Sequence, residues 1–261
     1  MFRPLMTGTV LLLASLLCSP PLARTAVTFK AELDPAVIHI GAFYNGERVS
    51  VTGEIPAKSE VVIKVKGKRQ DLEFQKKGRV LGILWMNLET VTFHQLPNVY
   101  LLYTAKSFEN MAQLSGGKPG VQEINLNSLE SQVDITPTPA DKHALIEELL
   151  KLKTSEGLYG VQQDAIRYGE IQGATKPFAA TLSMPPRLPL GEYGVEIFVL
   201  NQGNIVARTT DHLKVDEVGF PALLSNLAFE HAGLYGILAT LIAIAAGLLM
   251  GLLFRGSKGA H

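Results

Sequence analysis

Apolar and polar residues alternate with a period of two through the first third of the chain. Val49, Val51 and Gly53 alternate with Ser50, Thr52 and Glu54, and Val61, Ile63 and Val65 lie opposite Val62, Lys64 and Lys66. Successive side chains of a strand point to opposite faces, so this pattern predicts half-buried strands. They are expected at Val27–Leu33, Ala36–Ala42, Arg48–Ile55 and Glu60–Lys66, with Asn45-Gly46 and Pro56-Ala57-Lys58-Ser59 as turns. Further strand-like runs are Val80–Met86, Thr90–His94 and Val99–Thr104.

The pattern then breaks. Ser115–Pro137 is rich in Gly, Ser, Asn and Pro and reads as a long loop or insertion. Thr138-Pro139-Ala140-Asp141 predicts a helix start, with Thr138 as the N-cap and Pro139 at the first helical position. Leu145, Ile146, Leu149 and Leu152 share the face of that helix, Glu147 and Lys151 can pair on the other, and Gly157 ends it. A further helical turn or two is expected over Val161–Tyr168. Strands return at Phe178–Met184 and Glu192–Leu200, and Asn201-Gln202-Gly203-Asn204 forms a hairpin loop into Ile205–Val215. Pro189-Leu190-Gly191-Glu192-Tyr193 resembles the turn entering the penultimate strand of immunoglobulin-like sandwiches.

The two ends are apolar in different ways. Leu234–Phe254 is an uncharged run of 21 residues. As a helix it spans about 31 Å, matching a hydrocarbon core of ~30 Å. Its Leu, Ile and Phe residues contribute roughly −3 to −7 kcal/mol to insertion. Arg255 and Lys258 follow the run, whereas Asp216, Glu217 and Glu230 precede it, which predicts a cytoplasmic tail and an exported residue range 27–230. At the other end Arg3 is followed by apolar Val10–Leu17, too short to span but the length of a signal-peptide core. Leu17 stands where a lipoprotein site has a small residue, which argues against lipidation of Cys18, the single cysteine.

The expected fold class is mainly β: exported immunoglobulin-like β-sandwich regions with a helical insertion, plus one C-terminal transmembrane helix. Residues 1–26 form a signal peptide, 27–107 a β-rich half, 108–175 the loop and helical insertion, and 176–218 a second β-rich half. A juxtamembrane linker (219–233), the transmembrane helix (234–254) and a cytoplasmic tail (255–261) complete the chain. Either one sandwich carries the insertion or two β-rich halves pack closely, and the second arrangement is the expectation.

Composition narrows the function by exclusion. Lys and Arg balance Asp and Glu at zero net charge, against a nucleic-acid partner. His39, His94, His143, His212 and His231 have no metal-ligand spacing, and neither G-x-S-x-G nor a P-loop occurs. No catalytic residue, metal or cofactor is therefore expected, and the chain reads as non-enzymatic. Two surfaces stand out. Ala239, Ala243, Gly247 and Gly251 form a small-residue stripe along the anchor that lets another helix approach closely. Lys64, Lys66, Lys68, Arg69, Lys76, Lys77 and Arg79 form a basic cluster, either an anion or partner surface or a solvated strand edge guarded by cations.

Several blocks carry a resemblance. Arg79-Val80-Leu81-Gly82-Ile83-Leu84-Trp85-Met86-Asn87, Pro97-Asn98-Val99-Tyr100, Leu145–Tyr159, Leu188–Val199 and Leu234-Tyr235-Gly236 occur in an order that resembles the bacterial family "putative transmembrane protein, alphaproteobacterial type". Leu84 before Trp85 and the length of Ser115–Pro137 depart from that pattern. The resemblance implies a single-pass protein of the bacterial inner membrane with a periplasmic domain. The small-residue stripe and the absence of catalytic motifs predict an accessory or binding role, with the anchor docking on a permease or on a second copy of the chain; the resemblance adds that some family members are associated with permeases of the sulfite-exporter type. A tethered binding or adhesion module and a membrane-anchored hydrolase are the alternatives.

Overall fold

The alternation around Val49 becomes strand order because each apolar face finds a partner sheet. The structure, a computed structural model, describes residues 29–80, 83–107, 110 and 120–254. The signal peptide, Cys18 and the tail cations Arg255 and Lys258 lie outside the described residues, as do Leu81 and Gly82. In chain order the first strands are β1 (Ala31–Asp34), β2 (Val37–Ile40), β3 (Glu47–Pro56) and β4 (Glu60–Lys66). A long hairpin follows, β5 (Arg69–Val80) and β6 (Leu84–Pro97), and then β7 (Tyr100–Thr104). Two 3-10 turns lead to a short helix α1 (Leu129–Gln132), strand β8 (Asp134–Thr136) and helix α2 (Lys142–Ser155). The remaining strands are β9 (Tyr159–Gln162), β10 (Ile166–Tyr168), β11 (Thr175–Met184), β12 (Gly191–Asn201) and β13 (Asn204–Glu217). Helices α3 (Gly219–Glu230) and α4 (Ala232–Phe254) close the described chain.

The chain is mainly β, as expected, but the two β-rich stretches are not separate halves. One sheet runs β1-β3-β11-β10 and a second runs β2-β13-β12-β4-β7-β9. Early strand β3 pairs with late β11, from Glu47 opposite Met184 to Pro56 opposite Thr175, and β4 pairs with β12. Both sheets feed one core in which Val49, Val51, Ile63, Leu182, Val195 and Ile197 are buried. Burying a Val, Leu or Ile side chain is worth about 1.5–3 kcal/mol, so the long-range pairing outweighs the local grouping that suggested halves. Tyr193 donates its hydroxyl to the Pro189 carbonyl four residues upstream at 2.6 Å, which ties the start of β12 to the turn before it.

A smaller third sheet, β5-β6-β8, packs on α2 and builds a second core from Val91, Phe93, Leu96, Ile135, Ile146 and Leu149. Phe74 and Phe93 meet edge to face across 5.7 Å within it. Several expectations are corrected here. Val80–Met86 is no single strand: Val80 pairs with Leu84, so the segment folds back as the end of a hairpin. Its first strand, β5, was missed because its charged residues obscure the alternation. Val161–Tyr168 is strand rather than helix, since β9 pairs in parallel with β7 and β10 pairs with β11. The N-cap of α2 is Asp141 and not Thr138: the Asp141 carboxylate accepts from the Ala144 amide at 3.0 Å. Gly157 does end that helix, with a left-handed φ of 75° that suits glycine. The Ser115–Pro137 stretch, where described, is more than a loop: Ile124 and Leu129 are buried against the main core. Tyr100 donates to the Ile124 carbonyl at 2.6 Å, and burial pushes its phenol up to about 12. Val62, on the face read as the polar one, is fully buried.

Candidate functional site

Four features stand out by chemistry or exposure as candidates. The anchor is the first. Among the described residues α4 is the one helix long and apolar enough to cross a membrane, and none of its side chains is buried. Thr240 returns its hydroxyl to the Gly236 carbonyl one turn back at 2.8 Å, which satisfies a polar group where lipid offers no partner. Ala239, Ala243, Gly247 and Gly251 recur at four-residue spacing along it, and no described part of the chain approaches within 4 Å of where a side chain on Gly247 or Gly251 would begin. The stretch read as a linker before it is the helix α3, with exposed Phe220, Leu223 and Phe229.

The basic cluster is divided by the fold. Lys64 lies on the outer face of the six-stranded sheet, 2.5 Å from Glu196, which also binds Arg208. Its ammonium sits 5.1 Å from the Phe198 ring centre and 5.7 Å from that of Tyr100, so its charge is already matched by a carboxylate and two rings. Partial burial holds Lys66 below the usual lysine range, and the nearby Arg69 and Lys64 charges add to that. Lys68 and Arg69 are exposed at the foot of the hairpin. Lys77 and Arg79 lie far along it. At ~3.3 Å per residue, Arg79 is about 33 Å from Arg69. Lys76 belongs to the same strand, opposite Glu89. The cluster is thus three small groups and not one surface.

A third feature escaped sequence reasoning. On the solvent face of the three-stranded sheet, His94 Nδ1 is 2.9 Å from the Asp71 carboxylate and its Nε2 is 3.1 Å from the Thr136 hydroxyl. Asp71 also accepts from the Gln95 amide at 2.9 Å. That amide first, and His94 second, hold the Asp71 carboxyl below the ordinary range. In the tautomer that carries its proton on Nδ1, the imidazole donates to the carboxylate and Nε2 accepts from the Thr136 hydroxyl. The three residues come from separate strands aligned by the β5–β6 and β6–β8 registers; no local motif marks them. The neighbouring apolar cleft of about 170 Å³ opens on the other face, lined by Phe74, Val91, Phe93, Leu145 and Leu149, so none of the three lines it. His143 is elsewhere, paired with Glu130 at 3.2 Å. Among the described residues no group of three or more His, Cys, Asp or Glu converges as a metal site.

The fourth feature is the far end of the hairpin, where Ile83, Leu84, Trp85, Met86 and Leu88 are exposed. Arg79 lies over Trp85 with its guanidinium carbon 5.0 Å from the ring centre.

A family model described as "Putative transmembrane protein (Alph_Pro_TM)" matches residues 28–256, nearly the whole chain. The chain belongs to this family. No curated protein matches it. Membership and α4 together make this a membrane protein with one candidate transmembrane helix near its C-terminus. The matched range takes in all three sheets, α3 and α4, so all four features belong to the family region.

Proposed function

We propose that the protein is a non-enzymatic accessory or binding protein of the bacterial inner membrane. In this reading the β region is exported and held at the periplasmic surface, and α4 docks against another transmembrane helix. That helix comes from a permease, the sulfite-exporter type being the expectation carried by the family resemblance, or from a second copy of the chain. The observation that carries the reading is the small-residue face of α4, which nothing in the described chain covers. Close backbone approach at such a face gains van der Waals contact that lipid cannot match.

The test is a mild-detergent pull-down of the full-length protein at native expression. A co-purifying permease or a dimer, lost on Gly247→Leu with Gly251→Leu, is the expected result. A lone monomer indifferent to both changes would sink the docking reading. Function retained after replacing α4 with an unrelated transmembrane helix would instead mark the anchor as a tether for a binding or adhesion module. An alkaline phosphatase fusion near residue 200 tests export independently, with activity expected.

The Asp71–His94–Thr136 chain favours a second reading, a membrane-anchored hydrolase. An imidazole oriented by a carboxylate and facing a hydroxyl is the arrangement that activates a nucleophile. Esterase or peptidase activity of the purified protein, abolished by both Thr136→Ala and His94→Ala, would establish it; inactivity on broad substrate panels would retire it.

A further inference from the structure

The two ends of the six-stranded sheet differ in what they expose. At one end Lys66 stands opposite Gly194, Gly191 opposite Val215, and Ile40 beside Glu217. From this end β13 runs on into α3 and α4. The β5–β6 hairpin departs from the same end, because Lys66 precedes it and Tyr100, paired with Lys66, follows it. The exposed apolar residues collect here. Phe43, 98% exposed, is on the loop after β2, Leu190 immediately precedes β12, and Phe220 opens α3. At the opposite end the exposed large apolar residues among those described are Ile171 and Val206. Exposed apolar side chains scattered singly carry no message, but a one-sided concentration does.

The hairpin end is itself two-faced. Residues paired across strands share a face, so Arg79 and Trp85 lie with Lys77 and Asn87, while Gly78 lies with Met86. Leu84, Met86 and Leu88 occupy that second face, and Leu88 folds over Gly78 so closely that a Cβ there would lie 2.1 Å from its Cδ1. One side is therefore apolar, and the other is an indole and two cations. From Lys76 to Leu88 there are three basic residues and no acidic one. Trp85 is 65% exposed and Leu84 58%, so water reaches both faces. A lipid boundary accommodates both, since Trp and Arg settle at headgroup depth while aliphatic side chains enter the acyl region.

We propose that the end of the β5–β6 hairpin is a second membrane contact, lying in the headgroup–acyl boundary of the bilayer that α4 crosses. Its Leu84–Met86–Leu88 face turns to the acyl chains, and Lys77 and Arg79 meet anionic headgroups. The contact fixes how the β region stands over the membrane, and it is independent of what α4 docks against.

Trp85 is the single tryptophan of the chain, so its fluorescence reports this contact alone. The full-length protein is placed in nanodiscs of phosphatidylcholine with or without phosphatidylglycerol, using lipids brominated near the headgroup end of the acyl chain. The expected result is blue-shifted emission that brominated lipid quenches, more strongly with phosphatidylglycerol and less in high salt. Leu84→Glu with Met86→Glu should return the emission to that of water-exposed indole, while circular dichroism stays unchanged. Lys77→Gln with Arg79→Gln should remove the dependence on phosphatidylglycerol. Emission typical of water, quenched by iodide and indifferent to brominated lipid, would overturn the proposal. Blue-shifted emission that brominated lipid leaves untouched would also overturn it, because a protein and not lipid would then cover the tip.

Discussion

Tyr159 donates its phenolic hydrogen to the main-chain carbonyl of Pro97 across 2.5 Å, joining the first residue of β9 to the last residue of β6. Both groups are buried, and burial pushes the Tyr159 phenol above its ordinary range. The bond fastens the foot of the hairpin to the edge of the six-stranded sheet, so the hairpin's direction depends on it. Tyr159→Phe preserves the ring and removes only the donor, leaving a buried carbonyl unpaired. A loss of ~1–3 kcal/mol is expected, read as a lower denaturation midpoint of the full-length protein in detergent. Faster proteolysis around residues 97–100 should accompany it. An unchanged midpoint would show that Pro97 finds another partner.

The start of α2 offers a direct contest between two residues. Asp141 accepts from the Ala144 amide, whereas Thr138 lies outside the helix. Asp141→Ala should cost ~1 kcal/mol through loss of the N-cap, with faster amide exchange in the first turn. Thr138→Ala should stay within about 0.5 kcal/mol of the parent, as surface changes away from caps do. Thermal denaturation of the two variants side by side decides it, and the reverse ranking would restore Thr138 as the cap.

The same comparison shows what was legible in the sequence and why. β3, β4, β12 and β13 were readable because one side of each faces a dry core and the other faces polar surroundings, or a cover too distant in sequence to see. β9 and β10 are short, and their pairing with β7 and β11 is invisible to local periodicity. Thr138-Pro139 imitates a helix start, but Asp is an equally good cap, and three residues on Asp141 provides the acceptor. The cations from Lys64 to Arg79 read as one cluster in the sequence. Their separation along a hairpin depends on a register that shifts between Gln70 and Leu72 and again between Lys76 and Lys77. Asp71, His94 and Thr136 meet only through those pairings, so no spacing rule reaches them. The anchor needed no pairing at all: its uncharged length against the bilayer thickness was sufficient.

The pH response of the α1–α2 contact can be assigned a sign. His143, in the first turn of α2, holds Nδ1 3.2 Å from the Glu130 carboxylate of α1. That hydrogen bond first, and the Glu130 charge second, raise the His143 pKa above its ordinary 6.5. A group whose folded pKa exceeds its unfolded value binds its proton more tightly when folded. It therefore adds stability that is fully present below 6.5 and is lost as pH rises through the folded pKa. Its side chain is 74% exposed, so added salt should weaken the effect. His143→Gln should melt below the parent near pH ~5.5, with the gap closing by pH ~9, well above the ordinary histidine range. An NMR titration of the His143 ring should give a midpoint above 6.5 that falls back on Glu130→Gln. A gap that widens with rising pH would falsify the pairing.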